Sequence, residues 1–396
     1  MKWDIIYWVN RIIDVQGTNC KGTGLVMHAA AMWNRVMRMT RIRTHLGMLV
    51  GILCLGPTGS AYAIDPEQIT INGYTSFEVE KQIEKASDGG GDPNLSFDAD
   101  LFDLVFNFRV ADKVRAAADM SWEHGSASED GRGNVALEYG FVEYTVSDQF
   151  KVRVGKMFIP FGIFNEIHTA KPAFLSVKEA SSTNKAERIV DGAYRFFPRW
   201  GVGIALQGNG LIGGKEVDYD FFVSNGEQEN SNPFEEDDNR AKAITARVRV
   251  ELTGRLSMGS SFYFDRITEP GYTYLASHGI QIELIWETWR ILAEGVQGFK
   301  KPDSGPAVKQ IGWFIQPSYH FPNGLTPYVR FERADPDRSL GNDDGVSLVA
   351  GINYEISRSY MIKIENNYFR GASGSSLGVF PGSDYNEIKA AVVLGF

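Results

Sequence analysis

Four histidines stand downstream of residue 63, His124, His168, His278 and His320, each isolated from the others. No two have the spacing of metal ligands, and Glu166-x-His168 is a single weak pairing. No serine lies beside a histidine in a recognisable nucleophile motif, so no catalytic residue, metal or cofactor is expected and the chain is not read as an enzyme. Residues 208–213 (GNGLIG) match G-x-G-x-x-G. A dinucleotide site needs a helix to follow those glycines, whereas residues 216–223 alternate like a strand, so a glycine-rich hairpin turn is expected. Glu227, Glu229, Glu235, Glu236, Asp237 and Asp238 form an acidic run that reads as a solvated loop able to meet divalent cations or lipopolysaccharide.

The segment with the most polar chemistry is residues 158–198, about 40 residues between two strand patterns. With Lys156 just before it, it carries Glu166, His168, Lys171, Lys178, Glu179, Lys185, Glu187, Arg188, Asp191 and Arg195. Connections of this length without structure of their own are usually functional.

The elements that would position these groups are strands. In residues 69–82, Ile69, Ile71, Gly73, Thr75, Phe77 and Val79 share one face, and Thr70, Asn72, Tyr74, Ser76, Glu78, Glu80 and Gln82 share the other. Period-two alternation over this length predicts a long two-faced strand. The pattern recurs sixteen times, at 69–82, 97–110, 114–123, 134–146, 150–157, 199–208, 215–225, 243–252, 255–265, 276–287, 289–298, 308–319, 325–333, 346–356, 359–369 and 385–396. Strands 134–146 and 359–369 have ambiguous phases. Connections alternate between short ones, such as 111–113 and 322–324, and long polar ones, such as IEKASDGGGDPN and ADPDRSLGNDDG. That beat predicts an all-β transmembrane antiparallel barrel of about 16 strands, with periplasmic turns and external loops.

Composition agrees. Hydrophobic residues make up 43% and the formal charge is −9, which supplies a core and argues against a nucleic-acid binder. No apolar run reaches the 18 or so residues of a transmembrane helix, which says nothing against a barrel. Arg35, Arg38, Arg41 and Arg43 precede the apolar residues 46–55 (LGMLVGILCL) and Ala61-Tyr62-Ala63, the order of a secretory signal peptide. We expect an over-extended N-terminus over 1–36, a signal peptide over 37–63 and one barrel domain over 64–396. Cys20 and Cys54 both lie before the cut, so no disulfide is expected. Seven basic and two acidic residues also precede it, leaving 33 basic against 47 acidic residues and a net charge of −14.

The chain resembles Gram-negative 16-stranded porins, nearest to the phosphate-selective porin O/P type. The residues that carry the resemblance are 154–166 (VGKMFIPFGIFNE), 325–332 (LTPYVRFE) and the terminal 392–396 (VVLGF). It implies a water-filled passive diffusion channel in the outer membrane for small hydrophilic solutes or ions, with the third long loop, residues 158–198, folded into the lumen. It also implies a homotrimer and contact with outer-membrane lipid and lipopolysaccharide. The terminal Phe396 resembles the signal read by the barrel-assembly machinery. An outer-membrane barrel enzyme or adhesin is the rival reading. The inward basic candidates, Arg109, Arg115, Lys151, Arg153, Arg247, Arg249 and Arg330, with Lys171 and Lys178 from the loop, suggest a preference for anions. Asp103, Asp119, Glu251, Glu283 and Glu332 are expected to face them. N-terminal sequencing of the outer-membrane form is expected to begin at Ile64; any other first residue would show the leader to be misread.

Overall fold

The computed structural model describes residues 65–82, 94–123, 135–184, 196–226, 241–266, 272–302, 304–341, 343–370 and 385–396. The expected N-terminal extension and signal peptide, the acidic run 227–238, His124 and the loop residues Lys185, Glu187, Arg188, Asp191 and Arg195 lie outside them. Among the described residues there are sixteen strands. They are β1 (Ile69–Gln82), β2 (Ser96–Ala111), β3 (Val114–Glu123), β4 (Ala136–Ser147), β5 (Phe150–Phe158), β6 (Trp200–Ile212), β7 (Lys215–Ser224) and β8 (Ala243–Thr253) in the first half. The second half adds β9 (Leu256–Asp265), β10 (Tyr272–Trp286), β11 (Trp289–Pro302), β12 (Val308–Tyr319), β13 (Leu325–Asp335), β14 (Gly345–Ser357), β15 (Tyr360–Arg370) and β16 (Tyr385–Gly395). Each pairs antiparallel with the next and β16 returns to β1, so the sheet is a closed barrel with no edge.

The alternation sorts the two faces as expected. Ile71, Phe102, Val154, Ile204, Val248, Ile280, Val329, Ile364 and Val392 are exposed on the outside. Thr245, Arg247 and Arg249 between the outward residues of β8, and Glu387 and Lys389 between those of β16, point inward. Lipid is the solvent that suits so much apolar outer surface, and a closed barrel leaves no backbone group unpaired in it. The chain is therefore an outer-membrane type of transmembrane barrel.

Tyr144, Phe150, Trp286, Trp289, Tyr319, Phe321, Tyr354 and Tyr360 all flank short turns, so they form a girdle at one rim. Trp289 meets Tyr319 edge-on at 5.0 Å, and Tyr319 meets Phe321 at 4.7 Å. Amphipathic rings favour that interfacial depth.

Three local details depart from the sequence reading. β6 runs on through Gly208, Asn209 and Gly210, and the turn itself is Gly213–Gly214, with φ of 60° and 74°. The G-x-G-x-x-G run is thus mostly strand, ending in a hairpin turn whose positive φ values suit glycine. β4 carries a register shift opposite Asp119 and Met120, where Tyr139 and then Leu137 become the partners. The extra residue, Glu138, puts two neighbouring side chains on the lumen side, which is why the phase of this strand was ambiguous. β15 turns Met361, Lys363, Glu365 and Asn367 inward. An inward methionine beside an inward lysine defeats a simple polar and apolar sorting.

Closure is completed by the last residue. Gly73 and Phe396 exchange two backbone hydrogen bonds of 2.8 Å each. The Phe396 ring lies over Gly73, where a Cβ would meet its ring carbons at 2.5 Å, and leans on Phe102 at 6.1 Å. The folded protein is expected to migrate faster on an unheated denaturing gel than after boiling. Deleting Phe396 is expected to lower the amount of this fast form while export continues. Equal amounts with and without Phe396 would show that closure does not need it.

Candidate functional site

The chain between β5 and β6 crosses the barrel interior. It turns inward at Gly162, whose φ is +69° and whose Cβ position would lie 2.9 Å from Glu294 Oε1. Among its described residues this segment has short helical turns at Asn165–Ile167, Lys171–Ala173 and Ser181–Asn184, so many of its described backbone groups need partners from elsewhere.

Wall side chains supply them. Glu294 on β11 accepts from Ile163 N at 2.6 Å, Glu365 on β15 from Val177 N at 2.8 Å, and Glu332 on β13 from Ser182 N at 3.0 Å. Lys363 on β15 donates to the carbonyls of Lys171, Phe174 and Ser176 at 2.6, 2.5 and 3.0 Å. Arg330 on β13 donates to Ser176 Oγ at 2.8 Å and to the carbonyls of Lys178 and Glu179 at 3.2 and 3.4 Å. Its Nε also donates to Glu332 at 2.6 Å.

Charge also fastens the loop to β1 and β2, beyond β15 and β16 in the barrel order. Lys171 Nζ lies 3.1 Å from both Glu78 and Asp100, and Lys178 Nζ lies 3.0 Å from Glu78 and 2.7 Å from Asp100. Ser76 also donates to Asp100. Burial alone would lower the Lys178 ammonium, but the facing Glu78 and Asp100 carboxylates outweigh it and hold it above the usual lysine range.

Apolar contacts complete the docking. Ile159, Phe161, Phe196 and Phe197 of the loop pack with Phe222, Tyr263, Leu275 and Val296 of the wall. Phe164 and Phe174 pack with Leu292 and Phe314, and Val177 with Met361, Ala391 and Val393. Apolar residues that face inward are thus covered by the loop.

The loop leaves room on the β2 to β11 side. Toward the long loops, a cavity of about 350 Å³ is lined by Asp100, Glu138, His168, Lys178 and Arg199. Toward the short turns are cavities of about 230 and 510 Å³ that share Arg153, Glu166 and Gln207. The loop touches the wall between the two levels. His168 Nε2 lies 3.5 Å from Glu138 Oε2, and Phe158 stands edge-on to the imidazole at 5.0 Å. Tyr74 and Thr169 hydroxyls are 2.9 Å apart, and Tyr74 also donates to Asp119 at 3.3 Å.

Of the expected basic residues, six line the open side near the short turns. Arg115, Lys151 and Arg153 converge on Glu143 at 3.1, 3.7 and 2.6 Å. Arg109 stands opposite Arg115 in the strand register. Arg247 bridges Asp220 at 2.8 Å and Glu166 of the loop at 2.5 Å. Arg249 shares Glu283 with Arg290, at 2.8 and 2.7 Å. Arg290 escaped the sequence reading because it directly follows Trp289 at the strand start.

The other three occupy a different place. Arg330 and Lys171 keep only 3% and 5% exposure, and Lys178 is tied to two carboxylates. All three fasten the loop to the wall, and Lys171 and Lys178 do so at the edge of the 350 Å³ cavity. Lys363, Glu294 and Glu365, which do the same work, were missed. Their signal was present in the form of charges alternating with outward apolar residues on β11 and β15, but nothing in the sequence says that a loop will cover them. Of the expected inward acids, Asp103, Asp119 and Glu332 face the loop or its margins, Glu283 takes the arginine pair, and Glu251 stays exposed near a short turn.

Comparison with solved structures places this architecture. The anion-selective porin from Comamonas acidovorans superposes with a TM-score of 0.59 at 12% identity, covering 83% of this chain and 99% of that one. This is the porin fold. The trimer form of in-vitro folded OmpT, an outer-membrane protein of Vibrio cholerae, gives 0.56 at 12% identity, over 83% and 99% of the two chains. Salmonella typhi OmpF in complex with daunomycin gives 0.56 at 9% identity, over 83% and 97%. No family model matches the chain. An uncharacterized protein of Aquifex aeolicus (strain VF5) is 27% identical over 125 residues, which span 31% of this chain and 27% of that protein.

Replacing Lys363 by Met would orphan three loop carbonyls, and leaving a buried acceptor unsatisfied costs about 1–3 kcal/mol. Lys363→Met is expected to free the loop, seen as faster tryptic cleavage after Lys178 in a barrel that still shows the unheated gel shift. Unchanged cleavage would mean that Lys363 does not hold the loop.

Proposed function

We propose that the chain forms a water-filled passive diffusion channel in the bacterial outer membrane for small hydrophilic solutes or ions, with a preference for anions. The observation that carries the preference is the charge balance on the open wall. There six cations, Arg115, Lys151, Arg153, Arg247, Arg249 and Arg290, stand with five carboxylates, Glu143, Glu166, Asp218, Asp220 and Glu283, a small surplus of positive charge. Selectivity in such pores follows the charged groups that line the narrow region, not the total charge of the protein. Several of these residues stand on the 510 Å³ cavity beside the loop. The anion-selective description of the Comamonas porin adds support from the fold.

Within that fold, the GKMFIPFG stretch favours kinship with the phosphate-selective porin O/P type. The proposal includes assembly by the barrel machinery through Phe396, contact with lipid and lipopolysaccharide, and a homotrimer, the form described for one matched structure.

The test is a reversal potential across a salt gradient with purified protein in a planar bilayer. The potential is expected to report anion preference in the wild type. Arg247→Ala with Arg249→Ala leaves Asp220, Glu166 and part of Glu283 without their cations and is expected to move the potential toward cations. An unchanged potential would show that this wall does not select.

A further inference from the structure

The cavity of about 230 Å³ has two chemically different sides. One is aromatic, formed by Tyr139, Phe158 and Phe222, with Tyr139 and Phe158 edge-to-face at 5.6 Å. The other presents Arg115 and Arg153, with Glu166, whose carboxylate is already paired with Arg247, also on the lining. The Arg153 guanidinium lies 4.6 Å from the Phe141 ring centroid and that of Arg115 lies 5.6 Å from it, so one ring steadies both.

Their charge is only partly answered. Glu143 accepts from Arg153 Nε at 2.6 Å and from Arg115 Nη2 at 3.1 Å, and it also faces Lys151 at 3.7 Å. One carboxylate therefore serves three cations. Arg153 spends Nε on that bond, which leaves its terminal nitrogens for a partner from the cavity, and its side chain is 22% exposed. A guanidinium matches the planar geometry of a carboxylate and can hold it through two parallel bonds.

We propose that this cavity is a binding site for aromatic monocarboxylates, the carboxylate held by Arg153 and Arg115 and the ring set among Tyr139, Phe158 and Phe222. The proposal rests on the channel reading and names a solute class for it. A site that attracted only small hydrated anions would gain nothing from an aromatic wall, whereas a flat apolar body gains from leaving water and from edge-to-face contact. Acetate has the head without the ring, and inorganic phosphate has the charge without either feature. The arrangement ranks benzoate above both.

The experiment uses the full protein in a planar bilayer and, in parallel, in detergent for isothermal titration. Sodium benzoate, acetate and phosphate are added separately to a potassium chloride background. Benzoate is expected to reduce the chloride current, and to bind in the titration, at concentrations about tenfold below acetate. Arg153→Gln is expected to weaken benzoate about tenfold, as for a lost charge-assisted hydrogen bond. Tyr139→Leu, which keeps bulk but removes the flat face, is expected to weaken it about fivefold. Benzoate no stronger than acetate in a protein that conducts would overturn the site and leave the channel standing. Benzoate binding by a folded protein that passes no current would support the site and overturn the channel.

Discussion

Pairing of the first strand with the last is the constraint on which the rest of this molecule depends. Nine register pairs, from Tyr74 with Gly395 to Gln82 with Glu387, remove the edge that an open sheet would present. In hydrocarbon an unpaired backbone group costs several kcal/mol, so a sheet of this size is tolerated in a bilayer only when closed. Closure then dictates the two faces, because alternate side chains have no choice but lipid or lumen. Gly73 marks how tight the join is: its missing Cβ makes room for the ring of Phe396.

Once the lumen is the polar face, it can hold a long irregular segment that no other part of the fold would accept. A loop buried without regular structure exposes donors and acceptors that must be satisfied. Glu294, Glu332 and Glu365 take loop N–H groups, and Lys363 and Arg330 take loop carbonyls. Placing these charges on strands gives them rigid supports. Apolar wall residues such as Leu292, Phe314 and Val393 lie in contact with the loop, so the loop is docked as a core element and not merely tethered by charge.

Much of the barrel was legible because its physics is local. Each strand announces its two faces through residues two apart, and the short turns and long connections repeat with little variation. Strand bounds agree closely, with the main extensions in β6, β10 and β11; in β6 and β11 glycines and lysines blurred the ends. The site was less legible, since its contacts join residues far apart in the chain. Lys171 meets Glu78 across 93 positions and Lys363 meets the Lys171 carbonyl across 192. A lysine read as inward could line the water or hold the loop, and sequence alternation treats both alike. The bulge at Glu138 shows the same limit on a smaller scale, because one inserted residue reverses the phase without changing composition.

On the proposed channel reading, the ion pairs also account for a basic passage in a protein with a surplus of acids. At physiological salt the Debye length is about 8 Å, so exposed charges farther than that from an ion contribute little to its energy. What an ion meets beside the loop is Arg115, Lys151 and Arg153 around one carboxylate, and Arg249 and Arg290 around another. Carboxylates placed between the cations do more than reduce the field. Arginines left without them would repel one another and swing away from the wall, whereas a shared acid keeps several guanidinium groups side by side. Glu143 and Glu283 thus lower the net positive charge of the passage and at the same time keep its remaining charge in a fixed place.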